Sequence, residues 1–336
     1  MKKSVKIILT VSLLLVSVLT CFLFAACQKQ ETYNAQIEFI NQGSDAIAAL
    51  KTGTAKYAVL GEPAATMAGA NAGATYRIDL QKEWKTLTGF DGYPQASTVA
   101  TDNVIENHSA FLQKFLAEMQ ENVAWIVENA SSVTGVLQAN GSTSKFPSEQ
   151  VIKNCNIRFE SAIDAKDSVN KYLEIMHSFN ESFVGKMPTD NFFSSVRPNK
   201  DAVLPPTKEG TTAINVVVPD GAPALAIAKL LNDSEFAGYD VHYTIVSGAQ
   251  EISAAISNGS ADIAIMPTNL AAKLFGMGKS IKMVSSNVFG LLYLVGTQEI
   301  KDFSELNGEK ILCTGQGGTP EFVLKYILDK NNVKPE

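Results

Sequence analysis

Four short loops hold most of the chemistry that this sequence offers. Thr314-Gly315-Gln316-Gly317-Gly318-Thr319 precedes a helix that starts near Pro320. Its glycines (Gly315, Gly317, Gly318) let a ligand approach backbone N–H groups, with Gln316 and Thr319 beside them. The helix start supplies unpaired donors and a positive dipole end, so an anionic group is stabilised there. The competing reading is a simple flexible turn. Asp220-Gly221-Ala222, flanked by Pro219 and Pro223, is similarly placed after an apolar run, although Asp220 can equally serve only as an N-cap. Ser247-Gly248 and Pro267-Thr268-Asn269 close two further runs and bring hydroxyl and amide groups. Glu62 either meets a cationic or hydroxylated part of a ligand or caps the helix after Pro63. Tyr93 either stacks on or donates to a ligand, or packs a hinge.

Other chemistries find little support. Arg77, Arg158 and Arg197 are the only arginines and lie in none of these loops, so no bidentate clamp for sulfonate or carboxylate is evident. The three histidines, His108, His177 and His242, lack metal-ligand spacing. No C-x-x-C, H-E-x-x-H or G-x-S-x-G occurs, and no nucleophile–base pair is apparent. No catalytic residue, metal or cofactor is therefore expected.

The elements that must position these loops are legible from Ala213 onward. Ile214–Pro219, Tyr239–Val246, Ala261–Met266, Ile281–Ser285 and Gly290–Thr297 read as strands. Between the first four, Pro223–Leu231, Gln250–Ser257 and Asn269–Phe275 have helical periodicity. The series predicts an α/β lobe with a largely parallel sheet covered by helices. Lys310–Thr314 and Pro320–Lys330 open another βα unit. A parallel strand is due where the sequence stops, and Ala35–Ile40 is a strand with nothing before it. Joining the two ends restores an uninterrupted lobe, which suggests a circular permutation. An internal repeat agrees: residues 48–58 match residues 254–264 at a constant offset of 206, each reading helix, glycine turn (Gly53, Gly259), strand.

The 336 residues are 46% hydrophobic and 18% charged with a net charge of −6, an acidic balance that argues against a nucleic-acid partner. Lys2, Lys3 and Lys6 followed by apolar Ile7–Phe24 read as an export signal over 1–27. Ala25-Ala26-Cys27 resembles a bacterial lipobox with Phe24 where that motif has Leu. Cys27 would then be acylated and become the mature N-terminus. The alternative is an uncleaved membrane anchor, since roughly 18 apolar residues just span a bilayer. Removing the first 26 residues with their three lysines leaves 310 residues and a net charge of −9. Cys155 and Cys313 remain, and are expected as separate buried thiols rather than a disulfide.

With these residues in hand, the sequence resembles the substrate-binding lipoproteins of nitrate/sulfonate/taurine-type ABC transporters, a branch of the type II periplasmic-binding-protein fold. The resemblance is carried by both copies of the helix–Gly–strand repeat and by Tyr57–Pro63 with its Glu-Pro. Asp79-Leu80 through Trp84, Gly89 and Tyr93-Pro94-Gln95 add to it, as does the long apolar-faced helix Ser109–Glu128. It covers most of the mature chain in altered order, family-like middle and end first (31–195), family-like beginning last (212–336). It implies a two-lobed α/β fold, each lobe a mainly parallel sheet flanked by helices. Lobe 2 would combine 31–95 and 299–336, and lobe 1 would combine 96–195 and 212–298. Residues 196–211, with Pro198, Pro205 and Pro206, would be the linker. A fragment of a tandem array or a splice of two neighbouring genes is the alternative. Permutation requires Tyr33 and Glu336 to lie within about 15 Å, the reach of a few extended residues.

The resemblance further implies that the four loops line an inter-lobe cleft at the carboxyl ends of the strands, where open α/β sheets bind ligands. The chain would be a monomeric, extracytoplasmic, lipid-anchored solute-binding component of an ABC importer. It would close on a small solute and pass it to a permease and its ATPase. A cofactor-precursor biosynthetic enzyme on the same fold and a non-transport surface lipoprotein are the competing readings. The cysteine-rich motif of the thiamine-pyrimidine branch is absent.

Overall fold

The computed structural model describes residues 32–204 and 211–336. The signal-like segment with Cys27, and Pro205 and Pro206 of the expected linker, fall outside the described residues. In chain order the strands are β1 (Tyr33–Ile40), β2 (Tyr57–Gly61), β3 (Tyr76–Asp79), β4 (Ala96–Thr101), β5 (Ile157–Ser161) and β6 (Thr212–Pro219). They continue with β7 (Tyr239–Val246), β8 (Ile263–Pro267), β9 (Ile281–Val288), β10 (Leu292–Gly296), β11 (Lys310–Thr314) and β12 (Val333–Pro335). They form two six-stranded sheets, one ordered β12-β1-β11-β2-β10-β3 and the other β5-β9-β4-β8-β6-β7.

Both sheets follow one plan. In the second, β7, β6 and β8 are mutually parallel, β4 runs antiparallel beside β8, and β9 follows. In the first, β1, β11 and β2 are parallel, β10 runs antiparallel beside β2, and β3 follows. The antiparallel strand in each case is the one arriving from the other lobe. The second sheet takes its strands in the sequence β6, β7, β8, β9 without a break. The first takes the equivalent strands as β11, β1, β2, β3, from the last βα unit of the chain and then its opening strands. The architecture is thus two-lobed α/β with mixed sheets flanked by helices, consistent with a permuted type II periplasmic-binding-protein-like fold. The first and last described strands meet in one sheet. Tyr33 pairs with Val333, and the Glu336 N–H donates to the Ala35 carbonyl at 2.8 Å. Three residues of strand and one strand spacing put Tyr33 and Glu336 about 11 Å apart.

The internal repeat is structural. Gly53 (φ 73°) and Gly259 (φ 77°) end the helices Gly43–Thr52 and Ala249–Asn258 in the left-handed region that glycine tolerates. The Ala55 and Ala261 N–H groups then donate to Ala49 and Ala255, the same bond 206 residues apart. The strands that follow, β2 and β8, are almost wholly buried, as expected of strands covered on both faces.

Two expectations about elements are corrected. Gly290–Thr297 was assigned to lobe 1 within 212–298, but β10 is hydrogen-bonded into the sheet of β1. Only Phe289-Gly290-Leu291 separates β9 from β10, too short for the parallel crossover that the lobe 1 reading needs, and β10 instead pairs antiparallel with β2 and β3. Pro223–Leu231 is two short helices, Ala222–Leu225 and Ala228–Asp233, rather than one. Fully buried Asn122, from the helix Ser109–Glu128, donates to the Leu225 carbonyl and accepts from the Lys229 N–H, both at 2.8 Å. Its amide stands where the helical bond from 229 to 225 would be. Cys155 and Cys313 are free, buried thiols.

Candidate functional site

A cleft of about 630 Å³ opens where the two sheets face each other. Lobe 1 contributes Pro219 at the end of β6 and Asp220 after it, Gly248 after β7, Pro267 at the end of β8 with Asn269 in the helix that follows, and Ala96 at the start of β4, with Gln95 just before it where the chain crosses between lobes. The other lobe contributes Gly315, Gln316, Gly317, Gly318, Thr319 and Pro320 between β11 and the helix Thr319–Lys330. All four loops singled out by residue type therefore meet on one cavity.

Within those loops the residues divide. Ser247, Gly221, Ala222 and Thr268 do not line the cleft. The Thr268 hydroxyl is fully buried against Ser97 Oγ at 2.7 Å, and Ala222 is core. Asp220 lines the cavity, yet its carboxylate is a clasp. It accepts from Ser142 Oγ (2.5 Å), Thr143 Oγ (2.6 Å), Thr143 N (2.9 Å) and the Gly221 N–H (2.7 Å). Burial pushes the carboxyl up, but these donors outweigh it and hold it at about 2. The carboxylate is consequently ionised and ties the loop after Asn140 to the end of β6. With the folded value below the ordinary 3.8, its contribution to stability is complete above about pH 4 and is lost as pH falls toward 2. Asp220→Asn should therefore flatten the fall of melting temperature between pH 4 and 2 and cost about 1 kcal/mol near neutrality. An unchanged acid slope in the variant would count against the clasp.

The two glycine-flanked helix starts are already occupied. Gly317 N donates at 2.7 Å to Glu321, from the first turn of its own helix, and Glu321 pairs with Lys325 at 2.7 Å. Gly248 N and Ser247 Oγ donate to Glu251 at 2.7 and 2.6 Å. Each helix thus brings its own carboxylate to its dipole end, and at Gly317 that is where an anion was expected. Thr319 Oγ is in hydrogen-bond contact with Tyr172, from the other lobe, at 2.8 Å.

Glu62 and Tyr93 stand apart from the cleft lining. Tyr93 is fully buried, donates to Gln81 Oε1 at 2.7 Å and packs against Tyr172 and Trp84, so it fills the junction between the lobes. Glu62 is buried, caps the Thr66 N–H at 3.1 Å and is paired with Arg77.

The sequence reading missed Gln95 as a ligand group, together with Ser182, Phe183, Leu270 and Lys273, all of which line the cleft. Lys273 lies one helical turn after Asn269 and shares its face, so a helical projection from Asn269 finds it. Gln95, Ser182 and Phe183 arrive through tertiary folding and carry no local signal. Among the described residues no group of three or more His, Cys, Asp or Glu is placed to hold a metal ion.

No protein-family model matches the chain, and no curated protein matches it significantly. Solved structures give distant likenesses. One is the phosphate-binding protein of a phosphate ABC transporter from Streptococcus pneumoniae TIGR4, at 12% identity, covering 89% of this chain and 96% of that one, with a TM-score of 0.33. Another is the oligopeptide-binding protein AppA from Bacillus subtilis in complex with a nonapeptide, at 15% identity, covering 69% of this chain and 40% of that one, with a TM-score of 0.27. The two-lobed architecture and its cleft accordingly stand on the topology of the chain itself.

Proposed function

We propose that this chain is an extracytoplasmic solute-binding component of an ABC importer, a binding protein rather than an enzyme. It captures a small solute between its lobes and delivers it to a permease and its ATPase. The observation that carries this reading is a cleft lined by strand-end loops of both lobes, with Gln95 at the point where the chain crosses between them. Its volume suits a small organic molecule. Since each lobe supplies part of the lining, solute contacts are complete only when the lobes are together, and binding biases the hinge toward closure. The sequence resemblance supports the nitrate/sulfonate/taurine-type branch, a monomer, and attachment to the cell membrane through Cys27. Lobe 2 then comprises 31–95 with the chain from β10 onward, and lobe 1 comprises 96–195 with the chain from 212 to the end of β9, the two parts of lobe 1 joined by the linker at 196–211. Small-angle scattering with a solute found by thermal shift tests the proposal. A smaller radius of gyration with solute is expected, and a bound solute that leaves it unchanged would sink the capture mechanism.

A further inference from the structure

The proposed solute-binding role leaves open what kind of solute the cleft takes, and the polar groups of its wall bear on that. Asn269 is 6% exposed and lines the cleft. Its Nδ2 donates to the Phe183 carbonyl at 2.9 Å, which fixes the other end of the amide as oxygen. That oxygen, Asn269 Oδ1, is buried with no donor, and so is Gln95 Oε1 on the same cleft. Each has given up water without gaining a partner, which is unfavourable wherever it occurs in a folded protein. The Asn269 orphan is an acceptor, so its missing partner is a donor; the Gln95 amide makes no side-chain bond and is free to turn its oxygen to the same donor.

The charges point the same way. The carboxylates of Glu251 and Glu321 already take the N–H groups of Gly248 and Gly317, which a bound oxyanion would need. The ionised Asp220 lines the cavity itself. Among the described residues Lys273 is the one cationic side chain in the lining; it is exposed and donates to the Ser182 carbonyl at 3.4 Å. No arginine reaches the cleft. Phe183, Leu270 and Pro223 supply an apolar wall for a carbon frame.

We propose that the solute is a small organic cation whose N–H groups donate to Gln95 Oε1 and Asn269 Oδ1, with its carbon frame against Phe183 and Leu270, and not an oxyanion. This rests on the cleft being a solute site. Gln95 also has its backbone N–H bonded to Val288 O at 2.8 Å across the two crossing segments. A donor that turns the Gln95 side chain therefore acts where the lobes hinge.

Thermal shift and calorimetry on the full chain, with agmatine and spermidine as N–H cations, tetramethylammonium as a cation without N–H, and phosphate and methanesulfonate as oxyanions, test the proposal. Agmatine or spermidine should raise the melting temperature while tetramethylammonium and both oxyanions leave it unchanged. Gln95→Leu and Asn269→Leu should each weaken the bound amine about tenfold. Lys273→Gln, an exposed change that the fold tolerates, should tighten it a few-fold by removing a like charge. Binding of phosphate or methanesulfonate with lobe closure would overturn the solute class and leave the capture role standing. Weaker amine binding in Lys273→Gln, or undiminished binding in both leucine variants, would also overturn it. No response to any member of the panel would overturn it too, and absence of closure with any solute from a broader set would remove the capture role as well.

Discussion

Replacing Arg77 by Met is expected to destabilise the protein by about 3 to 5 kcal/mol, because it strands the Glu62 carboxylate in the interior. The Glu62 side chain is 0% exposed, whereas Arg77 is 26% exposed. The guanidinium pairs with Glu62, reaches Thr66 Oγ at 3.2 Å and lies 3.4 Å from the centre of the Tyr293 ring. Glu62 accepts from the Thr66 N–H at 3.1 Å, from Thr66 Oγ at 2.9 Å, and from Asn154 Nδ2 at 3.1 Å. Asn154 belongs to the lobe of β5 and Glu62 to that of β2, so the pair also fastens one lobe to the other. Met keeps an unbranched apolar stem and removes the guanidinium, with its charge, its place over the Tyr293 ring and its bond to Thr66 Oγ. Urea unfolding of Arg77→Met, Glu62→Met and the double variant closes a thermodynamic cycle. The double variant should recover much of the loss, since burying two apolar side chains carries no unpaired charge. A loss below about 1 kcal/mol in Arg77→Met would show that water reaches Glu62 after all.

Gly92→Ala should be of similar size for a different reason. Gly92 has φ +84°, and an added Cβ would lie 2.3 Å from the Phe289 carbonyl oxygen, a backbone atom that cannot rotate aside. The contact joins the two segments by which the chain crosses between lobes, 89–95 and 289–291, which are also tied by the Gln95 N–H to Val288 O. Left-handed strain alone costs about 1 kcal/mol, and forcing the crossing segments apart should bring the total to about 3 kcal/mol. Gly89→Ala is the internal control. Its φ is +82° but its Cβ would meet nothing within 4 Å, so it should show the strain without the clash. Equal melting temperatures for the two variants would refute the close approach.

The site residues show where local pattern reached its limit. Glycine loops after β-rich runs marked Gly248, Pro267 and Gly315 to Thr319 for a common rim, and the cleft gathers them. The same pattern made Gly317 a cradle for an anion, and it was silent on Glu321, whose carboxylate takes the Gly317 N–H. Both readings use the helix N-terminus; which carboxylate occupies it depends on a rotamer four residues along. Tyr93 was readable as a ring near the lobe junction but not as fully buried. Trp84 and Tyr172 approach it from residues that the sequence separates by 88 positions.

Most of the strands and helices after Ala213, their order, and the glycine caps at Gly53 and Gly259 follow from neighbouring residues alone. Helical and strand periodicity, left-handed helix ends and the repeat at 206 residues all arise from interactions within a few positions, and they implied two similar lobes written in rotated order. Sheet membership of β10, the split of Ala222–Asp233 by Asn122, and the donor-poor wall at Gln95 and Asn269 came only with the folded chain. Each depends on groups brought together from distant positions, where the cost of an unpaired buried amide or the reach of a three-residue link is decided by what packs beside it.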